Sequence, residues 1–312
     1  MPLSISNSEP ATARANRITR ATWGLILGAL ALYACAELGA RFGLEHVSHL
    51  HRKILQESRE VNALRKSDSP PKKTLLLLGN SLLEEGVDIQ QLQSGLLPRY
   101  QMQPFFVAQT RFLDWYYGLE RLFRHGARAD LVMVCLTPAQ LVSDQIRGDF
   151  SAHMLFDAQD IWSASRDSGA DLTTTSGYYL AHLSAFYATR SELRSVFMYL
   201  LASPVQQMWH QAAISTAAVP HDEQLNMQTV RRLQRLSQLC KGYGAEFVFL
   251  LPPTLGAANV TTFQAGATAN VSVIQPVANN SLSADYYQDD GFHLNQRGAR
   301  MFTSAIIRDL MK

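Results

Sequence analysis

The stretch Thr74-Leu75-Leu76-Leu77-Leu78-Gly79-Asn80-Ser81-Leu82-Leu83 decides the fold. Lys72 and Lys73 precede a short apolar run and Gly79 ends it. A run of this kind reads as a strand buried on both faces, as parallel sheets require. Gly79-Asn80-Ser81 then reads as a turn from strand into helix at the carboxyl edge of the sheet, where open α/β sheets hold ligands. Ser81 falls at the start of that helix, where backbone N–H groups and the positive helix end favour an anion. Serine is also an ordinary helix cap, so the triplet gains chemical meaning only from what stands elsewhere in the chain.

Downstream, strands and helices alternate. Further strands are predicted over 103–108, 131–136, 246–251 and 271–274. Between them, Asp88 and Asp114 can cap helices, Gly126 closes the second, and Asp222 can cap a long helix ending at Gly242. Asn295 opens a final helix. Alternation of this kind predicts an α/β class, three-layer α/β/α architecture with a five-stranded parallel sheet. Residues 140–219 break the pattern: they are helical and aromatic (Phe150, Phe156, Trp162, Tyr178, Tyr179, Phe186, Tyr187, Phe197, Tyr199, Trp209). They read as a helical insertion over the carboxyl edge, with most of these aromatics building a subsidiary core. The Gly/Ala/Thr/Asn-rich stretch 256–270 reads as a loop.

Upstream, residues 1–20 read as a disordered cytoplasmic tail ending in Arg14, Arg17 and Arg20. Residues 21–43 read as an N-terminal transmembrane helix, because the apolar run from Ala21 to Ala36 approaches the ~20 residues needed to span a bilayer. Arginines before the run put the N-terminus in the cytoplasm and the remainder outside, on the periplasmic face of the inner membrane. A cleaved signal peptide and an amphipathic helix packed on the body are the other readings. Residues 44–73 read as a helical stalk, with Ser67-Asp68-Ser69-Pro70-Pro71 as a boundary before the main domain at 74–312.

Composition removes several classes of function. A net charge of +2 with no basic, aromatic-interleaved stripe points away from nucleic acid. Cys35, Cys135 and Cys240 match neither a disulfide framework nor a metal site. His153, His182, His210 and His221 are scattered without metal-ligand spacing, so no metal and no cofactor is expected. His125, beside Gly126, reads as a cap at a helix end.

The chemistry is suggested by Asp289-Asp290-Gly291-Phe292-His293-Leu294-Asn295. Asp290 and His293 stand three apart on a turn before the last helix. That spacing lets the carboxylate fix one ring nitrogen of the imidazole and leaves the other free to take a proton from a serine hydroxyl. A serine is a weak nucleophile without such a base. Both predicted loops, the one at Ser81 and the one at His293, fall on the same edge of the sheet. Asp289 is the alternative orienting acid, Glu84 and Glu85 read as solvated helix-start acids, and Arg111, Asp114 and Arg147 are candidates for the cleft wall.

From residue 74 onward the chain resembles the SGNH (GDSL-type) hydrolase superfamily, in a divergent membrane-anchored branch that looks like bacterial polysaccharide O-acetyltransferases and esterases. Gly79-Asn80-Ser81 resembles its first block, with Asn in place of Asp, and Asp290-Gly291-Phe292-His293 resembles its last. The resemblance implies a flavodoxin-like SGNH fold, Ser81 as nucleophile, His293 as general base and acid, and Asp290 as the residue orienting it. It further implies an acyl-ester substrate, a glycan or a lipid. Two blocks depart from it. Ala108-Gln109-Thr110-Arg111 lacks the glycine and Thr137-Pro138-Ala139-Gln140 lacks the asparagine that supply the oxyanion hole. Loss of one such donor typically costs about 100- to 1,000-fold in rate. The backbone N–H groups of Ser81 and Thr110 with the Gln140 side chain are candidate replacements. An inactive protein of this fold, binding a glycan or an envelope partner, is the alternative.

Overall fold

The computed structural model describes residues 11–67, 72–190, 223–256 and 259–312. Five strands, β1 (Lys73–Gly79), β2 (Tyr100–Phe106), β3 (Leu131–Cys135), β4 (Glu246–Leu250) and β5 (Ser272–Ile274), form one sheet in the order β2-β1-β3-β4-β5. Every neighbouring pair is parallel. This is the flavodoxin-like order, and it reverses direction beside β1, so a crevice opens past the carboxyl end of that strand.

The helices, in chain order, begin with α1 (Ala11–Phe42), α2 (His49–Ala63), α3 (Ser81–Glu84), α4 (Ile89–Leu96), α5 (Phe112–Arg124) and α6 (Pro138–Val142). They continue with α7 (Asp149–Met154), α8 (Ala158–Asp167), α9 (Leu172–Leu183), α10 (Glu223–Gly242), α11 (Val260–Ala269) and α12 (Gln296–Leu310).

The leucine run of β1 is explained by its two faces. Successive side chains of a strand point to opposite sides. Leu76 and Leu78 pack with α2, α5 and α10, and Leu75 and Leu77 pack with α4 and α12. Each is fully buried, and burying a leucine contributes about 1.5–3 kcal/mol.

Several segments differ from the sequence reading. Residues 44–73 are not a stalk apart from the domain. Ile54, Val61 and Leu64 belong to the same core as β1 and α5. The helix also covers the free edge of β2: Glu57 accepts from the Phe106 N–H at 3.2 Å, and Gln103 donates to Glu60 at 2.9 Å. Pro104 is tolerated inside β2 because its missing N–H faces this same outer edge, two residues before Phe106.

The stretch 256–270 is not a loop throughout, since α11 occupies most of it. Its small residues serve close packing: Thr262, Ala265 and Gly266 are buried, and a Cβ on Gly266 would run into Val273. The long helix ends with Gly242 as its last residue, and the left-handed residue beyond it is Gly244, at φ 72°. Asp222, Phe197, Tyr199, Trp209, His210 and His221 lie outside the described residues.

Within 140–190 the described residues form α6 to α9 and the helical stretch 185–190, and α8 packs on α5. Arg124 pairs with Asp157 at 3.0 Å and with Asp160, and Tyr117 donates to Asp167 at 2.9 Å. His125 caps α5 and also meets Asp157 at 3.0 Å. At the other end of the chain, Thr22–Val47 is, among the described residues, one helix long and apolar enough to cross a membrane.

Candidate active site

Ser81 is the first residue of α3, directly past the end of β1. Its neighbour Asn80 caps that helix, and the Asn80 Oδ1 accepts from the Leu82 N–H at 3.1 Å. The Asn80 amide donates across the crevice to the Thr110 carbonyl at 3.0 Å. Asn80 is buried, so this side chain is an internal strut between the turn after β1 and the loop after β2.

The last turn of the chain before α12 meets Ser81 from the other side. The Ser81 hydroxyl lies 2.9 Å from the His293 Nε2, and the His293 Nδ1 lies 2.6 Å from the Asp290 Oδ2. The second Asp290 oxygen accepts from the backbone N–H groups of Phe292 and His293 at 2.9 and 3.0 Å. With the carboxylate accepting a hydrogen bond from the Nδ1–H, the Nε2 lone pair faces the serine hydroxyl. Partial burial pushes the Asp290 carboxyl up. The hydrogen bonds from the His293 ring and the two N–H groups outweigh this and hold it below the ordinary aspartate range. It is Asp290, and not its neighbour Asp289, that faces the ring.

The surrounding turn is tightly specified. Gly291 is left-handed, at φ 65°, which lets the chain double back between Asp290 and His293. The Gln288 N–H donates to the His293 carbonyl at 2.8 Å, and the Gln288 side chain donates to Glu85 at 2.7 Å, tying the turn to the end of α3. Asn295 caps α12, accepting from Arg297 and Gly298. The site is open: the His293 side chain keeps 20% of its surface and Asp290 31%.

The loop after β2 is held by its carbonyls and by Asp114. Val107 donates to Gly79 at 2.9 Å, Thr110 Oγ1 donates to the Val107 carbonyl at 2.6 Å, and the Arg147 guanidinium donates to the Ala108 carbonyl at 2.9 Å. Asp114 is fully buried and does not line a cleft. Its carboxylate accepts from the Arg111 and Arg147 N–H groups at 2.8 and 2.9 Å and from the Ser151 hydroxyl at 2.6 Å. Burial pushes this carboxyl up, against the hydrogen bonds that favour its charged form. Gln109 sits in the left-handed region at φ 61°. The glycine lacking from the sequence is thus absent as a residue, while a left-handed conformation of the kind glycine favours occurs in the same loop.

Among the described residues, the backbone N–H groups of Ser81 and Thr110 have no hydrogen-bond acceptor. Gln140 is placed differently from the other candidates. Its Oε1 accepts from the Thr137 N–H at 3.0 Å in a capping box that starts α6, which leaves only its amide hydrogens for other partners. The described residues contain no group of three or more acidic, histidine or cysteine side chains that could hold a metal ion. Sequence reasoning missed the strut at Asn80. The signal available was a buried-strand terminus followed by an amide where the resembling family carries an acid.

No family model and no curated protein matches the sequence. Among solved structures, the chain is similar to a crystal structure described as a possible lipase from Chitinophaga pinensis DSM 2588. The identity is 11% and the TM-score 0.36, over 77% of this chain and 98% of that one.

Proposed function

We propose that the chain is a membrane-anchored serine ester hydrolase or O-acyltransferase of the SGNH type, acting through an acyl-enzyme. The single observation that carries this reading is the continuous hydrogen-bond chain from the Ser81 hydroxyl through His293 to Asp290. In the reaction, the Ser81 hydroxyl passes its proton to His293 Nε2 as its oxygen bonds to the carbonyl carbon of an ester. The tetrahedral intermediate then collapses, the bond to the alkoxy oxygen breaks, and His293 returns the proton to the departing alcohol. Water or an acceptor hydroxyl next gives its proton to His293 and attacks the acyl-serine, and Ser81 leaves with the proton. Asp290 stays ionised throughout and holds the imidazolium.

The developing oxyanion is assigned to the N–H groups of Ser81 and Thr110, which are without acceptors among the described residues. The Gln140 amide is a third candidate donor. The anchor is α1, with the α/β domain on the periplasmic face of the inner membrane, and the substrate is an acylated envelope glycan or a lipid.

The test is turnover of p-nitrophenyl acetate by the full chain in detergent, beside Ser81→Ala. Loss of about 1,000-fold or more in the variant is expected. Labelling of Ser81 by a fluorophosphonate is expected in the parent and absent in the variant. Failure of both turnover and labelling in the parent would overturn the reading in favour of a glycan- or partner-binding protein, the alternative that the missing oxyanion glycine and asparagine favour.

A further inference from the structure

Helix α1 does not stand clear of the body. Where its apolar run gives out, Glu37 turns toward the insertion. Its carboxylate accepts from the Ser184 hydroxyl at 2.7 Å and from the N–H groups of Ala185 and Phe186 at 3.0 and 3.1 Å. These are the open N–H groups at the start of the helical stretch 185–190, so a carboxylate from α1 supplies the cap that Ser184 alone would only partly provide. Arg41, one turn further on, pairs with the same carboxylate at 2.7 Å. One turn back, Tyr33 meets the Phe186 ring edge-on, with centroids 6.4 Å apart. The insertion is therefore fixed to α1 at one level along its axis.

That level can be placed. Arg20 and Arg41 are ~31 Å apart along the helix axis, close to the thickness of a hydrocarbon core. Glu37 and Arg41 then lie at the boundary, and Tyr33 lies one turn inside it, where aromatic side chains concentrate. Phe186 is held at the same depth. Directly before it, Leu180 and Leu183 project from the outer face of α9, 49% and 71% exposed, while the inward residues of that helix are Thr175, Gly177 and Ala181. Single exposed leucines are common on soluble proteins. Here Tyr178 and Tyr179 pack against the core, while Leu180 and Leu183 are left facing out beside Phe186, and the patch continues onto α1.

The reactive edge is on this side. After the junction at Ser48, Lys53 on the second turn of α2 pairs with Glu84, which closes α3 one turn past Ser81. The far end of α2 lies at the opposite edge of the sheet, where the Leu64 carbonyl accepts from Arg128 at 3.0 Å.

We propose that the face formed by Leu180, Leu183 and Phe186 lies in the surface of the phospholipid bilayer crossed by α1. The sheet edge carrying Ser81 is thereby held beside the membrane, and its substrate is an acyl ester on a membrane-borne amphiphile. This rests on the reading of α1 as an anchor and of Ser81 as the nucleophile.

The test uses the full chain with Cys35→Ser; Cys135 and Cys240 are buried. One cysteine at a time is introduced, as Leu183→Cys, Leu27→Cys or Ala63→Cys, labelled with bimane and reconstituted in phosphatidylcholine/phosphatidylglycerol vesicles containing doxyl-labelled lipid. The label at position 183 is expected to be quenched severalfold more than the label at 63, most strongly by a shallow doxyl group. The label at 27 is expected to be quenched by a deep one. Quenching at 27 with none at 183 overturns the proposal and leaves the anchor standing. Quenching at neither site removes the anchor reading and the proposal with it. In the same vesicles, Leu183→Asp is expected to lower the rate on a long-chain p-nitrophenyl ester relative to the soluble acetate by about tenfold, the equivalent of ~1.4 kcal/mol. An unchanged ratio of the two rates overturns the substrate assignment.

Discussion

Replacing Asn80 by aspartate changes one buried atom and tests whether this residue is a strut. In the parent, the amide donates to the Thr110 carbonyl at 3.0 Å while the Oδ1 accepts from Leu82. The new carboxyl can keep both bonds only by holding a proton. An ordinary aspartate titrates near ~3.9, and each unit above that costs about 1.4 kcal/mol, so staying neutral at pH 7 costs about 4 kcal/mol. Ionising instead sets a buried charge against a carbonyl oxygen, which carries its own penalty of about 1–3 kcal/mol or more. The cheaper route sets the loss.

The sign follows from linkage. The folded-state pKa of the new group is raised, so the folded state binds more protons than the unfolded chain and loses stability as pH rises from about 4 towards that raised pKa. The expected deficit relative to the parent is about 1 kcal/mol near pH 4 and about 2–3 kcal/mol at pH 7, the cheaper of the two routes. Asn80→Ala removes both bonds without adding a titrating group and should show a deficit that is flat with pH. Thermal unfolding followed by tryptophan fluorescence, which includes the buried Trp115, reads all three proteins between pH 4 and pH 8. A variant whose deficit is absent, or constant across that range, would refute the assignment of Asn80 as donor to Thr110.

Other outcomes follow from the same geometry. Asp290→Asn offers an amide hydrogen to the His293 Nδ1 and turns the ring to the wrong tautomer, so kcat on p-nitrophenyl acetate should fall about 1,000- to 10,000-fold with folding intact by circular dichroism. Gln109→Gly removes the strain of a left-handed side chain while keeping the backbone N–H, and should raise the melting free energy by about 0.5–1 kcal/mol with activity retained. Gln109→Val should lower it by a similar amount or more. Asp114→Asn puts an amide where one carboxylate oxygen accepted from backbone N–H groups, and should cost about 2–4 kcal/mol in denaturant unfolding, with the Arg147 end of the insertion loosened.

The parts of the structure legible in the sequence are those where one physical demand dominates. An uninterrupted leucine run ending in glycine can hardly be anything but a central parallel strand, and Leu75 to Leu78 divide between two cores as that requires. Ser81, Asp290 and His293 were separable from ordinary caps by their combination, and the structure brings the three within hydrogen-bond distance. What stayed hidden depends on partners distant in the chain. Pro104 fits inside β2 because the position where it lacks an N–H is on the outer edge covered by α2. The small residues of α11 carry a loop-like composition because Val273 presses on Gly266. Glu37 directly follows the apolar run, and its role as the cap of a helix near residue 185 could not be inferred from its neighbours. The polar face of α2 suggested a stalk, since only two of its four buried residues, Ile54 and Val61, are apolar.

The distance in the chain between the two halves of the site has a consequence in time. Ser81 and His293 are separated by 212 residues, and at ~5–20 residues per second a ribosome needs roughly 10–40 s to make that stretch. Over that interval Ser81 lacks its hydrogen-bond partner His293, which arrives only with the last turn before α12. Under the proposed reading, reactivity at Ser81 appears only with the completed fold.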